Sequence, residues 1–349
     1  MSLRALSALD VLRAAALIAI AHWVAPACSR GHSPSATNEP STPRSNPSSS
    51  EATRPAARPA PDVADVRPLP PWSYPAVPRL VAIGDVHGDL TGLRSALRLA
   101  GAIDSTDHWS GGALWIVQTG DLLDRGDDER AILDLVTRLE SEAERAGGRF
   151  VAINGNHEIM NAQGDFRYVT PGGYTDFASF AGEAHEAVND EFASAMRGRA
   201  AVFAPGGRYA RQFAARNTIV QVGDTVFVHG GLLPSHVDAG IETINRAVRA
   251  FFLAQSPLPR MLEANDSPLW HRAFAMADDP AACALGEEAL SRLHARRMVI
   301  GHTVQRSGIT PACDQHVWRV DVGLARLYAG PIEALEIAGD AVRVLHGTR

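Results

Sequence analysis

The sequence predicts an α/β fold, because short apolar runs of strand length alternate along the chain with longer stretches of helical period. A second observation is that five of these apolar runs end alike, with Asp, Asn or His beside a glycine. The first three endings, at Asp85, Asp121 and Asn156, lie about 35 residues apart, which suits strand–helix–strand units.

The first 27 residues have the pattern of an export signal. Arginines precede an apolar run, Ala14–Ala21, which is shorter than the roughly 20 residues that a membrane-spanning helix needs. The small residues at 25–27 then fit a signal-peptide cleavage site. Residues 1–27 are therefore predicted to be a signal peptide that directs export.

Cys28, in "VAPACS", also resembles the cleavage site of a bacterial lipoprotein. Two outcomes stay open: a lipid anchor on Cys28, which would hold the protein on a bacterial membrane, or simple cleavage, which would leave a periplasmic protein. The third alternative is an uncleaved N-terminus on a cytoplasmic protein.

Residues 28–78 are rich in Pro, Ser, Ala and Arg and contain few large apolar residues. Such a composition cannot bury enough surface to offset the entropy lost on ordering. We expect a disordered tether here, followed by a single folded domain over residues 79–349.

The composition of the whole chain is that of an ordinary globular protein, with 46% hydrophobic and 21% charged residues among 349. The formal net charge is -6, and no basic run or stripe occurs. Nucleic-acid binding requires a positive face, so no nucleic-acid partner is predicted.

Three cysteines occur, and two of them, Cys283 and Cys313, lie in the predicted domain. They could form a disulfide in an oxidising compartment. The favoured expectation is a pair of buried thiols. No CxxC spacing is present, so a zinc finger is not predicted.

The five apolar runs are predicted strands, and the stretches after the first two are predicted helices with one apolar face each. The apolar faces consist of Leu90, Leu93 and Leu97, and of Ile132, Leu135, Val136 and Leu139. Ligands gather outside the carboxyl ends of the strands in α/β sheets, so the five endings should converge.

The converging side chains are the ligand types for a pair of borderline divalent metal ions. A carboxylate can bridge two cations, neutral imidazole suits Mn, Fe and Zn, and an amide oxygen adds a ligand without charge. Each motif alone could be a turn, but the five in order favour a metal site. The candidate ligands are Asp85, His87, Asp121, Asn156, His229 and His302.

The order "GDVHG", "GDLLDRG", "GNHE", "HGG", "GHT" resembles the calcineurin-like metallophosphoesterases, and among them the phosphoprotein phosphatase branch. The text "GNHEIMNAQGDFRYVTPGGY" is similar to the group called Shewanella-like phosphatases. The resemblance covers roughly residues 79–330. It implies a β-sandwich flanked by helices, with a dimetal site at the C-terminal ends of the strands.

The resemblance also implies two sets of ligands for two divalent ions (Mn, Fe or Zn), joined by the bridging carboxylate of Asp121. One set is Asp85 and His87, and the other is Asn156, His229 and His302. It further implies hydrolysis of a phosphomonoester by a hydroxide that the two ions share.

In the same family pattern, His157 is the general acid that protonates the leaving oxygen, and Asp124 orients its imidazole. Glu158 is interpreted as a supporting or helix-start residue. Arg125 would grip two phosphoryl oxygens, which its forked guanidinium suits.

A second phosphate-binding arginine is expected between "HGG" and "GHT", and Arg272 in "SPLWHRAF" is the candidate. Arg246 and Arg249 are alternatives, although their helical context favours a solvated face. The long stretch from Glu158 to Val226 is expected to form a cap at the rim of the site.

The resemblance implies a metal-dependent phosphatase acting on a phosphoprotein, with phosphotyrosine allowed beside phosphoserine and phosphothreonine, or on a small phosphoester. The alternatives are a nucleotide or diadenosine polyphosphate hydrolase, and a tethered binding module without catalysis. A binding module without catalysis is expected to lack at least one metal-binding residue, and here all six candidate metal ligands and His157 are present.

Overall fold

The computed structural model describes residues 68–276 and 279–349. The predicted signal peptide, Cys28 and the tether up to residue 67 lie outside the described residues. Two β-sheets and the helices around them make up the described part, as the predicted α/β class requires. The strands are β1 (Ser73–Tyr74), β2 (Leu80–Ile83), β3 (Trp115–Gln118), β4 (Arg149–Ala152), β5 (Ile219–Val222), β6 (Thr225–Val228), β7 (Arg297–Ile300), β8 (Thr310–Ala312), β9 (Val317–Arg319), β10 (Glu333–Ala338) and β11 (Ala341–His346).

The helices follow the strands and fill the long connections between them. The α-helices are α1 (Leu90–Leu99), α2 (Glu129–Arg145), α3 (Asn156–Ala162), α4 (Pro171–Asp176), α5 (Glu186–Glu191), α6 (Arg197–Phe203), α7 (Arg208–Phe213), α8 (Pro234–Ala239), α9 (Ile241–Phe252), α10 (Ala273–Met276) and α11 (Pro280–Arg292). Short 3₁₀ helices cover Ala178–Glu183 and Arg260–Leu262.

The first sheet has the order β11-β10-β2-β3-β4, and β2, β3 and β4 run parallel. The second has the order β1-β5-β6-β7-β9-β8, and β6 and β7 run parallel. All five predicted strands are present, as β2, β3, β4, β6 and β7. Their apolar runs are continuous because helices or the other sheet cover both faces.

The carboxyl ends of the two sheets come very close together at Gly84, just after β2. A Cβ on Gly84 would lie 2.1 Å from the carbonyl oxygen of Val320, which follows β9. Only glycine allows that approach. One hydrophobic core contains buried residues from both sheets, and the predicted β-sandwich flanked by helices is confirmed.

The predicted helical faces are also confirmed. In α1, Leu93 and Leu97 are fully buried, and the Asp89 side chain caps the helix by accepting a hydrogen bond from the Gly92 N–H. In α2, Ile132, Leu135, Val136 and Leu139 are buried. Both helices connect parallel strands and pack on the first sheet.

The folded part begins earlier than residue 79, where the sequence analysis placed the start of the domain. The two residues of β1 pair in parallel with β5, and the Asn217 side chain donates hydrogen bonds to the carbonyls of Pro70 and Pro71. The Tyr74 ring packs against Trp115 with a centroid distance of 5.2 Å. The sequence analysis missed the ordered segment at residues 70–74 because of its proline-rich composition. The segment is stabilised by its contacts with β5 and Asn217 and not by its own sequence.

Cys283, in α11, and Cys313, in the turn between β8 and β9, form a disulfide bond across 30 positions. The favoured expectation of two buried thiols is therefore wrong for this structure. The Cα atoms of the two residues lie 5.2 Å apart, a separation typical of disulfides.

Among the described residues, none of the helices has both the length and the apolar character that crossing a bilayer requires. The segment from α3 to α7, expected to be a cap, consists of short helices, and His185 there is exposed.

Candidate active site

The five strand endings bring their polar side chains together in one buried cluster. Two overlapping groups have metal-binding atoms within 4.8 Å of one another, and both contain Asp121. One group adds His87 and His157, and the other adds His229 and His302. All six predicted ligands lie in or beside these groups, and each is at least nine-tenths buried.

Glycine makes this crowding possible at two points. A Cβ on Gly301, just before His302, would lie 2.3 Å from the carboxylate of Asp85. A Cβ on Gly155 would lie 2.2 Å from the carboxylate of Asp121. At these two positions only glycine fits, because a neighbouring carboxylate occupies the space of a side chain.

Several site residues other than glycine adopt the left-handed backbone conformation that such residues usually avoid. Their φ angles are 46° (His87), 56° (Asp121), 69° (Asp124), 67° (Arg125) and 69° (His302). Strain of this kind costs about 1–3 kcal/mol at each residue and concentrates at functional sites. The turns after β2, β3 and β7 are shaped to aim these side chains inward.

His229 shows what the first half of the cluster can bind. Its Nδ1 donates a hydrogen bond to the Thr119 carbonyl at 2.8 Å, so the lone pair of Nε2 faces the cluster. Around that nitrogen lie three acceptor atoms: Asn156 Oδ1 at 2.8 Å, His302 Nδ1 at 3.1 Å and Asp121 Oδ2 at 3.2 Å. With Nε2 unprotonated, four lone pairs point at one spot, and this donor set fits a divalent transition metal.

The charge balance at His229 leads to the same conclusion. Burial lowers the pKa of this imidazole, but the Asp121 carboxylate outweighs burial and raises the pKa above its ordinary value. Burial, together with His229, lowers the pKa of His302 to about 2, so that ring stays a neutral donor. The pocket therefore attracts a positive charge, and His302 offers it a neutral nitrogen.

The second half of the cluster lies around His87. Its Nδ1 donates to the Leu123 carbonyl at 2.9 Å, which leaves Nε2 3.8 Å from Asp121 Oδ2 and 3.9 Å from Asp85 Oδ2. Burial, together with the neighbouring His157, lowers the pKa of His87 to about 3. A neutral imidazole between two carboxylates also fits a divalent ion.

The protein alone compensates the negative charge in this half only in part. Burial and the carboxylates of Asp321 and Asp121 raise the pKa of Asp85 well above its ordinary value. Asp321, in "WRVDVG", is itself buried, and burial raises its pKa to about 6. Bound cations would relieve this crowding.

Glu158 supports the cluster from below, as interpreted from the sequence. Its carboxylate accepts hydrogen bonds from the backbone N–H groups of Asp121, Leu122 and Gly155, at 2.7–3.0 Å. It therefore ties the turn after β3 to the turn after β4.

His157 lies at the edge of the cluster, with Nε2 3.7 Å from Asp121 Oδ2. Its Nδ1 donates to Asp124 Oδ2 at 2.5 Å. Two further groups bind the other oxygen of Asp124: Asn161 Nδ2 and Arg199 Nη2, both at 3.0 Å. Burial raises the pKa of Asp124, but these donors together hold it below its ordinary value.

Arg125 spans the two histidines at the mouth of the site. Its Nη1 lies 3.2 Å from His87 Nε2, and its Nη2 lies 3.2 Å from His157 Nε2. The rings of Tyr168 and Tyr328 flank the guanidinium, with centroids 4.8 Å and 5.4 Å from its central carbon. The forked cation thus lies over two aromatic rings, which helps to hold it in place.

Arg272 lies on the other side of the mouth. It is exposed, and its Nη1 donates to the His302 carbonyl at 3.1 Å and to the Thr303 hydroxyl at 2.9 Å. Arg246 is exposed and pairs with Glu242, and Arg249 donates to the Ala214 carbonyl. Of the three arginines considered for a second phosphate contact, Arg272 has a direct bond to a ligand residue.

Sequence reasoning missed four residues around the site: Asn161, Tyr168, Arg199 and Tyr328. Asn161 follows His157 by one helical turn, and that spacing could have revealed it. Tyr168 is 41% exposed in the segment expected to form the cap, where its ring centroid lies 5.2 Å from that of His157. Arg199 and Tyr328 have no local sequence signal.

Comparison with known proteins matches residues 78–306 to the family described as "Calcineurin-like phosphoesterase". The chain is 41% identical over 302 residues to Shewanella-like protein phosphatase 2 of Arabidopsis thaliana, covering 76% of this chain and 77% of that protein. It is 29% identical over 261 residues to Shewanella-like protein phosphatase 1 of Plasmodium berghei, covering 71% and 67%.

Among solved structures, a cold-active protein tyrosine phosphatase superposes with a TM-score of 0.65 at 24% identity, covering 79% of this chain and 78% of that chain. A protein serine/threonine phosphatase from Saccharomyces cerevisiae superposes with a TM-score of 0.52 at 14% identity, covering 80% and 85%. At these identities the likeness concerns the fold alone.

Proposed function

Since the chain belongs to the calcineurin-like phosphoesterase family, we propose that this metal-dependent phosphatase removes phosphate from phosphorylated side chains of proteins. The proposed substrates include phosphotyrosine beside phosphoserine and phosphothreonine. The names of the relatives support a protein substrate. The observation that carries the proposal is the placement of Arg125 and His157 together at the edge of the buried ligand cluster.

The ligand sets of this proposal share Asp121. Asp85 and His87 would hold one divalent ion, and Asn156, His229 and His302 would hold the other. When bound, two such ions supply Lewis-acid activation of the phosphate and of the attacking water. The donor set suits Mn, Fe or Zn.

The protein's own groups would position the phosphate and handle the proton. The Arg125 fork would hold two phosphoryl oxygens, because its two outer nitrogens already lie beside His87 and His157 at the edge of the cluster. Arg272, at the opposite side of the mouth, would supply a second positive charge for the phosphate.

His157 would complete the reaction as the general acid. As the bond between phosphorus and the leaving oxygen breaks and the water oxygen bonds to phosphorus, Nε2 gives its proton to the leaving oxygen. Asp124 accepts a hydrogen bond from Nδ1 and stabilises the positive charge on the ring before transfer. Aromatic rings at the mouth, of Tyr168 and Tyr328, would exclude water from this step.

The test is a substrate panel with metal analysis on the purified protein. We expect stoichiometric divalent metal, and turnover of phosphotyrosine or phosphoserine peptides that exceeds turnover of ATP and diadenosine polyphosphates. A clear preference for nucleotides would replace the protein-phosphatase proposal with the hydrolase alternative. Bound metal without turnover of any phosphoester would favour a binding module.

We also propose that the protein is exported, and that it is either anchored to a bacterial membrane by lipidation at Cys28 or cleaved and released into the periplasm. The support comes from the N-terminal sequence pattern and from the disulfide between Cys283 and Cys313. Disulfides persist in the periplasm and outside the cell, and are rare in the cytosol of most organisms.

A further inference from the structure

Arg199 is a fully buried arginine whose guanidinium is completely paired. Arginine has five N–H donors, and the Arg199 side chain donates five hydrogen bonds. Their acceptors are Asn161 Oδ1, the Gly173 carbonyl, Asp124 Oδ1 and both carboxylate oxygens of Glu129. The side chain has no donor left for water or for a substrate.

Aromatic rings seal this cluster from solvent. The centroids of Phe166, Phe177 and Phe203 lie 4.9–5.9 Å from the central carbon of the guanidinium. Coulombic attraction is strong in such a dry place, and an uncompensated charge is costly. The Arg199 position is therefore tightly fixed.

The contact with Asp124 is the one that connects Arg199 to the reaction. Arg199 binds Oδ1 of this carboxylate at 3.0 Å, while His157 binds Oδ2 at 2.5 Å. Rotation of the carboxylate would change both bonds at once. We infer that Arg199 is a positioning residue that fixes the Asp124 carboxylate and, through it, the direction in which His157 presents its Nε2.

The backbone at Asp124 explains why an outside support is needed. Asp124 has a φ of 69°, a conformation that the residue does not favour by itself. Arg199 lies 75 positions away in α6, and Glu129, which Arg199 also binds, accepts a hydrogen bond from the Asp124 N–H. Arg199, in the segment between α3 and β5, thus supports the turn after β3. That turn carries Asp124, the hydrogen-bond partner of His157.

This inference rests on the proposed general-acid role of His157. It predicts a difference between substrates that would not arise if the ion pairs of Arg199 only stabilised the fold. Loss of orientation should slow only the step that needs a proton. The leaving phenol of phosphotyrosine is much more basic than 4-nitrophenol, so the two substrates depend differently on the acid. Weaker packing alone would affect both substrates alike.

The test replaces Arg199 by lysine, which keeps the charge but loses the fork. We expect kcat on a phosphotyrosine peptide to fall by about tenfold or more, within the range that a general acid contributes. With 4-nitrophenyl phosphate, kcat should change less than about threefold, and KM and metal content should be unchanged for both substrates.

The matched control is Arg216→Lys. Arg216 is also buried and ion-paired, with Glu140 at 3.0 Å, but it does not contact Asp124 or His157. This variant should leave the ratio of the two kcat values unchanged. Equal losses on both substrates in Arg199→Lys, or no loss, would overturn the inference.

A second variant covers the case in which Arg199→Lys does not fold. Arg199→Gln combined with Glu129→Gln removes one buried charge of each sign and leaves the net charge of the cluster as it is. The same split between substrates is expected, and equal losses would again overturn the inference. If the unmodified protein hydrolyses neither substrate, the proposed function itself fails. That outcome differs from one in which the unmodified protein is active but the Arg199 variants lose equal activity on both substrates.

Discussion

The imidazole of His157 and the carboxylate of Asp124 form a buried pair, with Nδ1 and Oδ2 2.5 Å apart. The two residues come from different strand endings, those after β4 and β3. This hydrogen bond keeps a proton on Nδ1 and leaves Nε2 facing the ligand cluster. An acid placed in this way lies at the edge of the ligand cluster, where a leaving group can reach it.

Replacing His157 by alanine should therefore lower kcat on a phosphotyrosine peptide by about 10²–10⁴-fold, the usual contribution of a general acid. The loss on 4-nitrophenyl phosphate should be smaller, because its leaving group needs less protonation. Steady-state kinetics on both substrates, with metal analysis of the variant, provide the measurement. Equal losses on the two substrates would contradict the assigned role.

Asp121→Asn should abolish turnover and lower the bound metal. The carboxylate of Asp121 lies in both groups of metal-binding atoms, so its loss weakens both sites at once. Elemental analysis of the purified variant is the measurement. A matched control is Asp224→Asn, which changes an aspartate that is not among the candidate ligands. A variant that keeps two metals and most of its activity would exclude a bridging role for Asp121.

Arg125→Lys should weaken inhibition by inorganic phosphate by several-fold even though the charge is preserved. An ammonium is a single point charge and cannot bind two phosphoryl oxygens side by side. The inhibition constant for phosphate, measured with 4-nitrophenyl phosphate as substrate, checks this. Arg246→Lys is the control, because Arg246 is exposed and pairs with Glu242. Unchanged inhibition in the Arg125 variant would remove this residue from phosphate binding.

The sequence predicts the centre of this site because its signals are local. A strand-length apolar run, a glycine and a ligand stand next to one another in each of five motifs. Strand endings in α/β sheets converge, so their positions follow from the fold class. This is why Asp85, Asp121 and His229 could be predicted without coordinates.

The surroundings of the site depend on partners far away in the chain. Nothing in the neighbouring sequence "SAMRGRAAVF" indicates the partners of Arg199, because Glu129 and Asp124 lie 70 and 75 positions before it. Likewise, β1 forms because the edge of β5 offers it backbone hydrogen bonds. Pairings over such distances leave no pattern in a single sequence.

The proposed lipid anchor predicts where the protein is found in a cell. Each buried CH₂ of an acyl chain contributes about 0.8 kcal/mol to membrane affinity, so an acylated Cys28 should place the protein in the membrane fraction. Cys28→Ser should move it to the soluble fraction. Mass spectrometry of the mature N-terminus distinguishes acylation from simple cleavage, and an intact Met1 on a cytoplasmic protein would contradict both.

The disulfide between Cys283 and Cys313 predicts a measurable contribution to stability. It closes a loop of 30 positions, and a crosslink of that length contributes about 3–4 kcal/mol to the free energy of unfolding in the chain-entropy treatment. The double variant Cys283→Ala, Cys313→Ala should lose about that much in urea unfolding. A reductant should lower the stability of the unmodified protein by a similar amount and leave the variant unchanged. If the reductant has no effect on the unmodified protein, the predicted contribution of the disulfide to stability is contradicted.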